Sequence, residues 1–156
     1  KFLPLHPTNL FIKKSEGKTA SEIVWCDIAQ FNFDDILVTS GGIVLDKEII
    51  FSAISSDTIA AYLAKTLEAS KLILLTDVDG VYNRDSPGKL INNLSLTRVR
   101  GKDYQFIIGD MEAKIRRISS AVDAGIETYI ANGNNLTDVI NVIDERNSSQ
   151  YTRVAP

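Results

Sequence analysis

Between Lys71 and Tyr82 an apolar run of strand length, Leu72-Ile73-Leu74-Leu75, ends at Thr76 and meets two carboxylates and a glycine, Asp77-Val78-Asp79-Gly80. In an open α/β sheet, ligands bind just beyond the carboxyl ends of the strands. A strand from Lys71 to Thr76 would deliver Asp77 and Asp79 to such a place. Gly80 tolerates positive φ or a close approach to its backbone, and Tyr82 adds a flat face with a polar tip. The same residues also read more simply, as a buried strand closed by a tight Asp-Gly turn.

The surrounding pattern alternates strands with helices. Leu37-Val38-Thr39 reads as a strand ending at Gly41-Gly42, and Glu48-Ile49-Ile50-Phe51 as a second. From Asp57 the residues Ile59, Ala60, Leu63, Ala64 and Leu67 recur at helical spacing, with Ser55, Ser56 and Asp57 as N-cap candidates. The polar stretch from Asn83 to Lys89 predicts a loop, and no pattern assigns the residues from there to Asp103. A second helix is predicted over 111–124, with Ile115, Ile118, Ala121 and Val122 on one face and Gly125 as C-cap. Glu127 to Ala131 reads as a strand, and Leu136, Val139, Ile140, Val142 and Ile143 mark a third helix. Such alternation implies an α/β fold, a mostly parallel open sheet covered by helices.

Composition narrows the class further. A chain of 156 residues with 44% apolar content supports one core rather than two. The net charge of −3, with signs interspersed, suggests no nucleic-acid partner. Cys26 stands alone, which excludes an internal disulfide and fits the cytoplasm. No apolar stretch reaches membrane length. His6, the one histidine, reads as a surface or packing residue, and no metal-ligating set is assigned. Trp25 and Cys26 read as packing, and Lys13-Lys14 and Arg116-Arg117 as solvated pairs. For Arg98, Arg100 and Lys102, a loop near a ligand is one reading.

Several segments in order resemble the amino-acid kinase superfamily. Thr76-Asp77-Val78-Asp79-Gly80-Val81-Tyr82 is similar to its nucleotide-binding strand and loop. Gly41-Gly42-Ile43-Val44-Leu45-Asp46 and Phe51-Ser52-Ala53-Ile54-Ser55-Ser56-Asp57 are most similar to the archaeal-type isopentenyl phosphate kinases. Gly109-Asp110-Met111-Glu112-Ala113-Lys114 resembles a Gly-Gly-Met-x-x-Lys element, and Tyr151-Thr152-Arg153-Val154 a closing Gly-Thr-Arg-Ile strand. The resemblance implies a partial amino-acid kinase fold, a single partial domain over 1–156. Residues up to about 50 would end the substrate-binding part, and about 51–156 would form the nucleotide-binding part. It also implies that the family's opening lysine and glycine-rich loop lie in a missing N-terminal half. The chain is therefore expected to be a fragment or one half of a split enzyme.

The implied chemistry is transfer of the γ-phosphoryl of Mg²⁺-ATP to a small-molecule phosphate, isopentenyl phosphate first. The alternatives are another acceptor of the superfamily (a carboxylate or a nucleoside monophosphate) and a non-catalytic nucleotide-binding module. Phosphoryl transfer needs positioned cations and donors rather than covalent work. By resemblance Lys114 meets the ATP phosphates and the transition state, and Asp57 organises the lysines. On position alone, Asp57 would cap a helix and Lys114 would be a solvated helix lysine. Asp77, Asp79, Gly80, Tyr82, Gly109 and Asp110 would border the nucleotide, and Gly41, Gly42 and Ser56 the acceptor. Asn132-Gly133 reads as a strand-end turn, or by resemblance as an adenine-side turn. Four residues depart from the pattern. Ser56 replaces a glycine near the substrate phosphate, Asp110 the second glycine of Gly-Gly-Met, Gly42 an aspartate and Ile108 a threonine. A carboxylate at 110 repels a phosphate unless Mg²⁺ or Lys114 intervenes. Family members of this kind are often homodimers, while a sheet with an open edge is prone to aggregate.

Overall fold

The computed structural model describes residues 2–16, 20–26, 36–100, 107, 110–144, 146 and 150–156. The strands are β1 (Phe2–Pro4), β2 (Phe11–Glu16), β3 (Ala20–Cys26), β4 (Ile36–Val38), β5 (Gly42–Asp46), β6 (Ile50–Ile54), β7 (Lys71–Thr76), β8 (Asn93–Ser95), β9 (Glu127–Asn132) and β10 (Tyr151–Ala155). The helices are α1 (Pro7–Leu10), α2 (Ser56–Thr66), α3 (Leu96–Arg100), α4 (Met111–Asp123) and α5 (Leu136–Ile143). One sheet has the order β7-β9-β10-β8, a second β3-β2-β5-β6, and β1 pairs with β4. The pairs β7/β9, β8/β10, β2/β5 and β1/β4 are parallel, whereas β9/β10, β2/β3 and β5/β6 are antiparallel. The chain is thus α/β, with helices on its sheets.

Local chemistry accounts for the main elements. Ser55 caps α2, its Oγ accepting from the Asp57 N–H at 3.1 Å. The apolar face of α4 forms as its spacing predicts, with Ile115, Ile118, Ala121 and Val122 buried. Gly125, at φ 84°, ends that helix. The Gly125 N–H donates to Val122 O and the Ile126 N–H to Ala121 O, which satisfies two terminal carbonyls.

Three expectations change. Glu48 and Ile49 belong to a turn, and the strand runs from Ile50 to Ile54. Asp46 makes that turn, one carboxylate oxygen accepting from the Glu48 N–H at 2.9 Å and the other from Ser52 Oγ at 2.7 Å. The strand read as ending at Gly41-Gly42 stops at Val38, and Gly42 instead starts β5, which pairs with β6 as a hairpin. Arg98 and Arg100 sit on α3 rather than in a loop, and Arg100 pairs with Asp123 at the end of α4. Lys102 lies outside the described residues.

The expected single core is divided. The larger cluster joins Leu72, Leu74, Ile130 and Val154 to Ala61, Ala64 and the buried face of α4. A second gathers Leu10, Phe11, Ile23, Val44, Ile54 and Ile59. Helix α2 contributes Ile59 to one and Ala61 and Ala64 to the other, so it ties the two sheets together. No helix among the described residues is long and apolar enough to cross a membrane.

Candidate functional site

Parallel pairing brings the ends of β7 and β9 to the same edge, with Thr76 opposite Asn132. Helix α2 leads into β7 and α4 into β9, and each packs on the strand it precedes. Both helices therefore begin at the edge where both strands end. The positive ends of two helix dipoles and the polar residues after two strands share one rim.

At the helical side of the rim lies an ion-pair group. Lys114 Nζ donates to Asp57 Oδ1 at 2.9 Å, and Arg117 Nη1 stands 3.9 Å from Asp57 Oδ2. The Asp57 side chain is 14% exposed and Lys114 23%, whereas Arg117 is half-exposed. Because Ser55 supplies the cap, both Asp57 oxygens remain for cations. One carboxylate facing two cations leaves a positive excess beside two helix N-termini, an arrangement suited to an anion. Gly41 lies against the same helix start. A Cβ there would come within 2.8 Å of Ile54 O and of Ser56 N, so only glycine fits. Ser56 is exposed. Gly42 instead faces Pro7 of α1, 3.2 Å from where its Cβ would be.

At the strand side the two aspartates diverge. Asp79 accepts from Tyr82 Oη at 2.8 Å and from Asn132 Nδ2 at 2.9 Å. Those bonds, Asn132 first, hold its carboxyl below the usual aspartate value, and the bond to Asp79 pushes the Tyr82 phenol up. Asp77 is exposed and accepts from Thr76 Oγ1 at 3.1 Å. Gly80 is buried, and a Cβ on it would stand 2.5 Å from Thr152 Oγ1. The glycine thereby lets β10 approach closely, and Thr152 Oγ1 accepts from the Val81 N–H at 2.8 Å. Asp110 is exposed at the start of α4 and makes no side-chain cap bond. Gly109 and Ile108 lie outside the described residues.

A model of the amino acid kinase family matches residues 27–132 of the 156. The chain belongs to the amino acid kinase family. Among its relatives, glutamate 5-kinase of Prochlorococcus marinus subsp. pastoris is 27% identical over 122 residues, 70% of this chain and 33% of that protein. Acetylglutamate kinase of Moorella thermoacetica is 40% identical over 83 residues, 51% of this chain and 28% of that protein. The chain thus spans a third or less of the length of these curated relatives. Solved structures resemble it over nearly all its length. An isopentenyl phosphate kinase aligns with TM-score 0.74 at 23% identity, covering 99% of this chain and 59% of that one. The N-acetylglutamate synthase of Neisseria gonorrhoeae aligns with TM-score 0.69 at 18% identity, covering 97% of this chain and 37% of that one. Those two likenesses concern the fold, and one belongs to a protein named as a synthase, so fold alone does not decide the chemistry.

In this amino acid kinase chain six of the sequence-predicted residues fall into two groups along one rim, whereas Gly42 faces Pro7, Gly80 packs on β10, and Asp77 and Asp110 are exposed. Asp57 and Lys114 meet directly, with Gly41 and Ser56 beside the start of the same helix. Asp79 and Tyr82 meet each other. Arg116-Arg117 reads from sequence as a solvated pair. Arg116 does bond Glu112 at 2.7 Å, but Arg117 turns toward Asp57. The available signal was its spacing, three residues beyond Lys114 and hence on the same helical face. The bond from Asn132 to Asp79 joins residues 53 apart, and no local pattern marks it.

Proposed function

We propose that this chain carries the nucleotide-binding side of an ATP-dependent phosphotransferase acting on a small anionic acceptor, with isopentenyl phosphate the acceptor to test first. On this reading the products are isopentenyl diphosphate and ADP. Residues from about 51 onward would serve the nucleotide, and those up to about 50 would end the acceptor part. The observation that carries the reading is the Lys114–Asp57 pair where two helices begin. Asp57 holds the ammonium in place, and Lys114 offers its remaining donors to an anion at the rim. ATP would supply the phosphoryl group.

Among the described residues no three His, Cys, Asp or Glu side chains gather as a metal-holding group. Mg²⁺ arriving with the nucleotide would need only one or two carboxylates beside phosphate oxygens. Asp77 and Asp110, both exposed, are the carboxylates proposed to serve it. The cytoplasm, where Mg-ATP is abundant, is the proposed location.

A second reading of the acceptor, a carboxylate, is favoured by the sequence relatives named glutamate 5-kinase and acetylglutamate kinase. Calorimetric titration of Mg-ATP into the chain and into Lys114→Ala tests the nucleotide reading. Loss of a charge-assisted bond is expected to weaken binding by roughly tenfold or more. A folded chain that does not bind Mg-ATP would sink it. Release of ADP in the presence of isopentenyl phosphate, glutamate, N-acetylglutamate or a nucleoside monophosphate then separates the acceptors.

A further inference from the structure

Lys114 faces two demands. Its ammonium has three donors, and one is committed to Asp57 Oδ1 at 2.9 Å. An anionic phosphate met by the remaining donors would compete with Asp57 for the ammonium charge. Asp57, at 14% exposure, would then lose part of its compensation where water helps little. Arg117 stands ready on the same face of α4, with Nη1 3.9 Å from the other Asp57 oxygen. That separation is too long for a hydrogen bond, yet a modest side-chain adjustment closes it.

We propose that Arg117 is a positioning residue that takes over Asp57 when Lys114 engages phosphate. The planar guanidinium fork matches a carboxylate, so Asp57 stays paired while the lysine charge is released toward the anion. The exchange is between counterions only, with no bond made or broken. It explains why a single carboxylate faces two cations of unequal distance. The inference rests on the phosphotransferase reading and adds a second cation to it.

The test is a double-mutant cycle read by calorimetry, titrating Mg-ATP into the full chain and into R117M, K114M and the combined variant. With Lys114 present, R117M is expected to weaken Mg-ATP about tenfold, a coupling usual within one ion-pair network. With Lys114 already replaced, the same change is expected to cost less than about twofold, since no exchange remains to support. R117K, which keeps the charge but not the fork, should recover only part of the affinity. Equal losses in both backgrounds would overturn the exchange, because Arg117 would then act on the nucleotide directly. No loss in either background would overturn it as well. An unsubstituted chain that does not bind Mg-ATP is a different failure, that of the nucleotide reading itself. Arg117 is half-exposed, so R117M should melt as the parent does, and a thermal melt of K114M and the combined variant confirms that each is folded before titration. Arg117→Gln provides the same cycle if the methionine variant does not.

Discussion

On one face of the sheet ordered β7-β9-β10-β8, α4 sets Ile115, Ile118, Ala121 and Val122 against Leu72, Leu74 and Ile130. On the other face, α5 turns Asp138 and Asn141 inward beside Val142. It leaves Leu136, Ile140 and Ile143 outward at 71%, 51% and 53% exposure. Two helices of similar amphipathic spacing thus present different chemistry to the strands between them, one apolar and the other mixed. The reason lies in their anchors. Helix α4 is held by apolar contact alone on its inner face, and its charged face is free to carry Lys114 and Arg117. Helix α5 packs Val142 against Tyr129 and Ala131 and is held besides by polar bonds. The Asp138 carboxylate accepts from the Asn135 side chain and, at 3.4 Å, from the Gln150 N–H that leads into β10. Lys71 Nζ donates to Ile143 O at the helix end, where a cation is favoured. Polar anchoring overrides the preference of a stripe of Leu and Ile for the interior.

The largest expected effect tests the apolar side. Ile118 is wholly buried in the middle of α4. Ile118→Ala should destabilise the chain by about 2–5 kcal/mol, the transfer of the lost groups plus the cavity they leave. Denaturant unfolding followed by circular dichroism measures it. A loss below about 1 kcal/mol would show that the α4 face is loosely packed, and the contrast with α5 would collapse.

How much of this could be read from sequence follows the same divide. Helix α4 was legible because its apolar period, its terminal glycine and its packed face all agree. The position of α5 was legible too, but not its orientation, which depends on Asp138 meeting Gln150 across a gap in sequence. The hairpin of β5 and β6 escaped because Asp46 shapes its turn through its side chain, where the pattern placed the start of a short strand at Glu48. At the rim, Asp57 and Lys114 are 57 residues apart, and only resemblance to a motif joined them. Arg117 became visible only with α2 alongside, since spacing on α4 shows a shared face but not what faces it. The capping question was open among Ser55, Ser56 and Asp57, and geometry assigned it to Ser55.

A smaller effect separates the two faces by pH. Tyr129 packs on the α5 side, edge-on to Tyr151 with ring centroids 5.5 Å apart, and its hydroxyl donates to Glu127 at 3.3 Å. Burial first, and the Glu127 charge next, raise its phenol above the ordinary value of 10.0, with Arg153 opposing. A phenol raised in the folded state contributes stability that is complete below its unfolded pKa and is lost as pH climbs through the folded one. The α4 face has no titrating group in its apolar contacts. Raising the pH above 10 should therefore loosen α5 before α4, seen as a selective fall in amide hydrogen-exchange protection along α5 after correction for the intrinsic rate. Tyr129→Phe should abolish the selectivity. Equal loosening of both helices, or selectivity that survives in the phenylalanine variant, would show that the polar face is not set by Tyr129.

The smallest expected effect is the most pointed, because it concerns an isoleucine that looks like core on sequence. Ile140 repeats at helical spacing with Leu136 and Ile143, yet it is half-exposed on the outer side of α5. Ile140→Gln removes a branched apolar side chain and installs a better helix former. With the polar anchors intact, stability should stay within about 0.5 kcal/mol of the parent, as for surface substitutions away from special features. The same unfolding experiment used for Ile118→Ala reads the difference, so the two isoleucines become a matched pair on one sheet. A loss above about 1 kcal/mol at Ile140 would mean that the stripe is covered in solution. A covered stripe would leave α5 with two buried faces, and the contrast between the helices would then come from what α5 meets beyond the sheet.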